Sequence, residues 1–250
     1  MTDKPVPESY YVGAYWGSRK ESPEECARRM AAFLNLLAPA DPFLARWYKP
    51  AKTQKDALKH PLMPPAVPTL TELFRRGVNR EEGGPIFEDL GFSFWLGNGG
   101  GNYDRAGLRT TCGCSSAAVS NACVLSLPTL GHGANADRVL TAPVLTGAVR
   151  SMALAWEPDW AVATSSDHRD ILSEKGRAGT FIGWVTYLSR RRGVVPPLPA
   201  PVRIEPVKDR GTLLVLTSER LTARNPAHVD LGRQVRELLD RAGLMQPVTG

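Results

Sequence analysis

The chain has 250 residues, 42% of them apolar and 22% Asp, Glu, Lys or Arg, which is the composition of a folded globular protein and excludes a disordered chain. A chain of this length can bury about three quarters of its extended surface, and no apolar run reaches the ~18 residues of a membrane span. The net charge of +6 permits an anionic partner, but the basic residues are dispersed, and the "SRRRG" cluster at Arg190–Arg192 is too short for a nucleic-acid-binding arm.

From the N-terminus, "MTDKPVPESYY" lacks the basic and apolar regions of a secretory signal, so a cytosolic protein is expected. Tyr10 to Trp16 alternates in the manner of a strand, with Tyr11, Gly13 and Tyr15 on one side and Tyr10, Val12, Ala14 and Trp16 on the other. Tyr11 and Tyr15 are expected in the core, while Trp16, at the strand's end, is a candidate aromatic anchor for a partner. Ser22, Pro23 and Glu25 then form a capping box with proline in the first turn. The helix they start carries Cys26, Met30, Phe33, Leu34 and Leu37 as one apolar stripe.

"DPFLARWYKP" reads as a short strand closed by Pro50, and prolines 61, 64, 65 and 68 make the next segment a loop. A short helix follows, capped by Thr69 and ended by Gly77. "FEDLGFSFWLGNGGGNYDRAGLRTTCGCSS" gives two strands joined by glycines whose spacing matches neither GxGxxG nor GxxxxGK[ST], so the link is a hairpin connection and not a phosphate loop. "NACVLSLP" is another strand, and Thr141 caps a second long helix through Val144, Leu145, Ala148, Met152 and Ala155.

"WAVATSS" and "GTFIGWVTYLS" read as strands, with "SSDHRD" between them as a loop. "VRIEPVKDRGTLLVLTS" reads as a hairpin turning at Asp209 to Gly211, and Asn225 with Pro226 opens a C-terminal helix. The sum is an α+β protein: one largely antiparallel sheet covered by helices, in a single domain.

A catalytic set is harder to find. There is no GxSxG and no HExxH; His60, His132, His168 and His228 fall in predicted loops or at a helix start and read as surface or capping residues. Cys26, Cys112, Cys114 and Cys123 include a CxC without further ligands at zinc spacing, so neither metal nor cofactor is expected. The alternative is a metal-dependent hydrolase or nuclease using acids near Asp167, Asp170 and Glu205, but these lack the D…ExK arrangement that holds a divalent ion.

Several long stretches, "ESYYVGAYWGSRKESPEECARR", "LGFSFWLGNG", "GWVTYLS", "VPPLPAPVRIEPVKDRGTLLVLTSERLTARNPAHV" and "RQVRELLDRAGL", together resemble the immunity protein 52 family of bacterial polymorphic toxin systems, from about Ser9 to Leu244. The resemblance implies a non-enzymatic α+β protein that binds and silences a cognate toxin. Such toxins are commonly nucleases of the restriction-endonuclease-like fold delivered by a type VI secretion system, and no direct contact with nucleic acid is implied. An inhibitor covering a phosphate-binding cleft needs acidic residues gathered on one face. The sequence offers them in two places beside aromatic or apolar neighbours. One is Glu81, Glu82, Glu88 and Asp89; the other is Glu157, Asp159, Asp167 and Asp170, with Trp160 beside them.

Overall fold

The computed structural model describes residues 7–81, 84–173 and 175–249. Its frame is one eight-stranded sheet in which every neighbouring pair is antiparallel, as the α+β reading requires. β1 (Tyr10–Trp16) lies at the centre, between β4 (Asn121–Ser126) and β5 (Trp160–Ser165). Beyond β4 come β3 (Gly107–Cys112) and the edge strand β2 (Phe92–Gly97), which form the glycine-linked hairpin. On the other side β6 (Val185–Ser189) pairs with β8 (Gly211–Val215), and β7 (Arg203–Val207) forms the far edge. The β7–β8 turn places Lys208 at φ 49°, just ahead of the expected turn residues.

The alternation in β1 sorts the helices. Tyr10, Val12, Ala14 and Trp16 are fully buried beneath the helical layer of α1 (Pro23–Leu37), α3 (Val67–Arg76) and α5 (Ala142–Trp156). The α1 capping box is complete: Ser22 N donates to Glu25 Oε2 at 2.7 Å and Glu25 N to Ser22 Oγ at 3.2 Å. Its five stripe residues are all buried. Trp16 stacks on Trp156 of α5 with centroids 5.3 Å apart, and Phe74 of α3 meets Phe94 of β2 edge-on at 4.5 Å.

The opposite face is covered only in part. There α6 (Ser166–Leu172) places the Arg169 guanidinium 5.8 Å from the Tyr11 ring and packs on α7 (Pro226–Arg241). Gly232 permits this approach, since a Cβ there would lie 3.0 Å from Leu172 and 3.2 Å from His168. No long helix among the described residues packs on the same face of β2, β3 and β4, where Trp95 and Arg109 lie opposite each other in register, both exposed. Two short helices, α2 (Gln54–Ala57) and α4 (Ala134–Val139), sit in the connections.

Four local expectations change. Residues 41–50 form a turn, closed by Trp47 Nε1 donating to the Leu44 carbonyl at 2.8 Å, and Tyr48 makes only isolated bridges to Pro61 and Gly97. α3 begins at Val67 and not after Thr69, because Pro68 fits the first turn and Ala66 takes the cap position. The strand expected from Gly179 starts only at Val185, and Phe181 turns in to pack against Trp160 at 4.8 Å. "SSDHRD" is helical because Ser165 Oγ accepts from His168 N at 3.1 Å, so the serine caps a helix where it was expected to start a turn. His168 is consequently buried completely, and His228 is 7% exposed, so neither is a surface residue.

Candidate partner-binding surface

Trp16, the candidate anchor, and Trp160, named with the second acidic group, both lie in the core. Trp16 is 1% exposed, sandwiched by Trp156 and by the Arg19 guanidinium 4.9 Å from its ring, and Trp160 is fully buried between Tyr15 and Phe181. Tyr11 and Tyr15, expected inside, are only partly buried on the thinly covered face.

The acids of the 157–170 region do not form an open negative face, because arginines hold three of the four, two of them from distant parts of the chain. Glu157, in the left-handed region at φ 50°, receives the Arg210 guanidinium and lies 3.5 Å from Arg29. Asp159 accepts from Gly17 N at 3.0 Å and pairs with Arg191 at 2.9 Å. Asp170 pairs with Arg169 at 2.7 Å, and that hydrogen bond raises the Arg169 pKa further above its ordinary value. Asp167 is exposed in the first turn of α6, where the helix dipole favours a carboxylate.

The hydrolase set is not brought together. Glu205 on β7 accepts from Arg150 of α5 at 2.7 Å, on the face opposite to α6 with Asp167 and Asp170. Among the described residues no three His, Cys, Asp or Glu side chains gather as a metal site would require.

The other acidic stretch differs. Glu82 lies outside the described residues, while Glu81, Glu88 and Asp89 are exposed alongside Ile86 and Phe87. This loop is fastened to the outer edge of β2 by a bridge between Val78 and Phe92, and the Asp89 carbonyl accepts from Ser115 N at 2.8 Å.

At the other end of β2 is a groove that the sequence reading passed over. A cavity of about 730 Å³ is lined by Trp95, Tyr103, Arg105 and Arg109 on the bare sheet face. A second, of about 280 Å³, is lined by Tyr48, Lys49, Lys52 and Gln54. Trp95, Gly97, Arg105 and Ala106 line both, so the two form one groove over the end of the hairpin.

The hairpin loop is braced. Asn98 Oδ1 accepts from Ala106 N at 2.8 Å, and Gln54 Nε2 donates to the Gly100 carbonyl at 2.7 Å. Trp95 is 53% exposed; Tyr103 is 64% exposed and stacks on His132 at 4.8 Å. No Asp or Glu is among the described lining residues, and the nearby Asp104 is engaged by Asn135 Nδ2 at 2.8 Å. The readable signal was Trp95 itself: in "FSFWLG" it falls on the face opposite to Phe94, where a sheet open to water carries polar residues.

The family model for Immunity protein 52 matches residues 8–248. The chain belongs to this family. Membership in an immunity-protein family implies toxin neutralisation. No curated protein matches the chain. Among solved structures it is similar to the Pseudomonas aeruginosa T6SS protein PA0821, with a TM-score of 0.55 and 12% identity over 97% of this chain and 79% of that one, a likeness that concerns the fold alone. No helix among the described residues is long and apolar enough to cross a membrane.

Proposed function

We propose that this family member protects the cell that makes it by binding a cognate type VI toxin, a nuclease of the restriction-endonuclease-like fold, in the cytoplasm. The observation that carries the reading is the family match across residues 8–248. With Glu157, Asp159 and Asp170 already paired to arginines, the 157–170 region has little free negative charge to lay over a phosphate-binding cleft. We therefore place the toxin contact outside that cleft, along the β2 edge, where the exposed apolar side chains of Ile86 and Phe87 supply one contact.

The test is co-expression with the toxin encoded beside this gene. Cells carrying both survive, and the purified pair binds with a dissociation constant of about 1 nM or tighter, within the range open to non-covalent complexes. Equal killing with and without this chain overturns the proposal. DNA breakage in intoxicated cells checks the nuclease assignment separately.

A further inference from the structure

We infer that the groove formed by Trp95, Tyr103, Arg105 and Arg109, with Lys49 and Lys52 at its far end, is the docking site for an acidic, apolar-tipped surface segment of the toxin. This rests on the neutralisation reading and deepens it by naming the surface and the chemistry of what it takes.

The charge is one-sided. Among the described residues four cations line the groove and no carboxylate does, although elsewhere acids that approach arginines pair with them. Asp104, the acid closest in sequence, is held by Asn135. Arg105 and Arg109 are therefore left to a ligand, and a guanidinium presents the planar fork that binds carboxylates through two parallel hydrogen bonds.

The apolar part is equally specific. Trp95 and Tyr103 are large aromatic side chains left in water on a face that elsewhere buries its tryptophan, and Leu58 stands 45% exposed beside Gly99. Aromatic residues and arginine are the side chains that carry most binding energy at protein interfaces. Recognition must come from these side chains, since bridges restrict strand addition at the β2 edge: Tyr48 N donates to the Gly97 carbonyl and Ser93 N to that of Gly77. An acidic partner segment also accounts for a net charge of +6 on an inhibitor, since the segment lies away from the toxin's own basic cleft.

The experiment measures binding of purified toxin to the full chain by calorimetry at two salt concentrations. Arg105→Glu with Arg109→Glu weakens binding by about 100-fold or more, Trp95→Ala by about 10-fold or more, and the double reversal flattens the salt dependence. Arg233→Glu with Arg241→Glu, on the exposed side of α7, stays within about 3-fold of wild type, a change at the scale of a rim charge. Thermal melts monitor folding, and Lys49→Glu with Lys52→Glu provides a second reversal should the first fail to fold. If wild type binds and protects while every groove variant binds equally well, the groove is not the site and the neutralisation reading survives. If wild type neither binds nor protects, both fall. If a labelled single-stranded oligonucleotide binds the groove at physiological salt and does not compete with toxin, the surface serves nucleic acid and the inference is wrong.

Discussion

The two halves of the sheet are built from one continuous set of hydrogen-bonded strands but finished differently. In β5 and β6 every residue is buried, and the sequences WAVATS and VTYLS show no alternation because both faces are covered. In β2, β3 and β4 burial alternates or thins, with Arg109 and Ser126 exposed, because only the side beneath α1 and α3 is covered. A covered face makes stability and a bare face is free to make contacts. The unusual feature is that the bare face carries a tryptophan.

The largest expected effect contrasts a tryptophan from each half. Trp160→Ala, in the covered half, should cost about 3–5 kcal/mol, whereas Trp95→Ala should change stability by no more than about 0.5 kcal/mol. Urea unfolding of both reads this directly, and equal costs would mean that the β2 half is as packed as the other.

The next effect is one of pH. Burial pushes the His168 imidazole from 6.5 down to about 4, with smaller opposing contributions from its neighbours, so the folded state holds it neutral where the unfolded chain binds a proton. Its contribution is thus fully present above pH 6.5 and is lost as the pH falls towards 4, a change of about 2–3 kcal/mol. Urea midpoints at pH 7 and 4.5 should differ accordingly, and His168→Leu should remove much of that difference.

Gly183→Ala comes third. The new methyl would stand 2.4 Å from Val162 Cγ2 and 2.5 Å from the Ala163 carbonyl oxygen, a clash expected to cost about 1–3 kcal/mol, visible as a lower melting temperature. The smallest effect is Asp170→Asn: its pair with Arg169 is partly exposed, so a loss under about 1 kcal/mol is expected. A larger loss would show that α6 depends on that pair more than on its packing.

What could be read in advance were features carried by neighbours in sequence. The alternation of Tyr10–Trp16, the Ser22–Glu25 capping box and the α1 stripe are local, and each specified its element correctly. The state of the acids was not local. Glu157 meets Arg29 and Arg210, which lie far off on either side in the chain, so nothing near "EPDW" announced that its charge was spent. The groove was hidden for the same reason: Lys49, Lys52, Arg105 and Arg109 become neighbours only when Tyr48 bridges to the end of β2. "SSDHRD" misled in another way, since a serine that caps a helix and one that starts a turn look alike until the following residues pack.

The central position of the first strand sets a timetable for synthesis. β1 is complete by residue 16, yet its two partners are residues 121–126 and 160–165, and the Glu8 carboxylate just ahead of it is secured only by Ser165, Thr222 and the Ala223 amide. At ~5–20 residues per second, a nascent chain waits roughly seven to thirty seconds between making this tyrosine-rich strand and completing the strands that shield it. β4, β5 and the Thr222–Ala223 segment must therefore all leave the ribosome before this strand is enclosed on both edges and its leading carboxylate is satisfied.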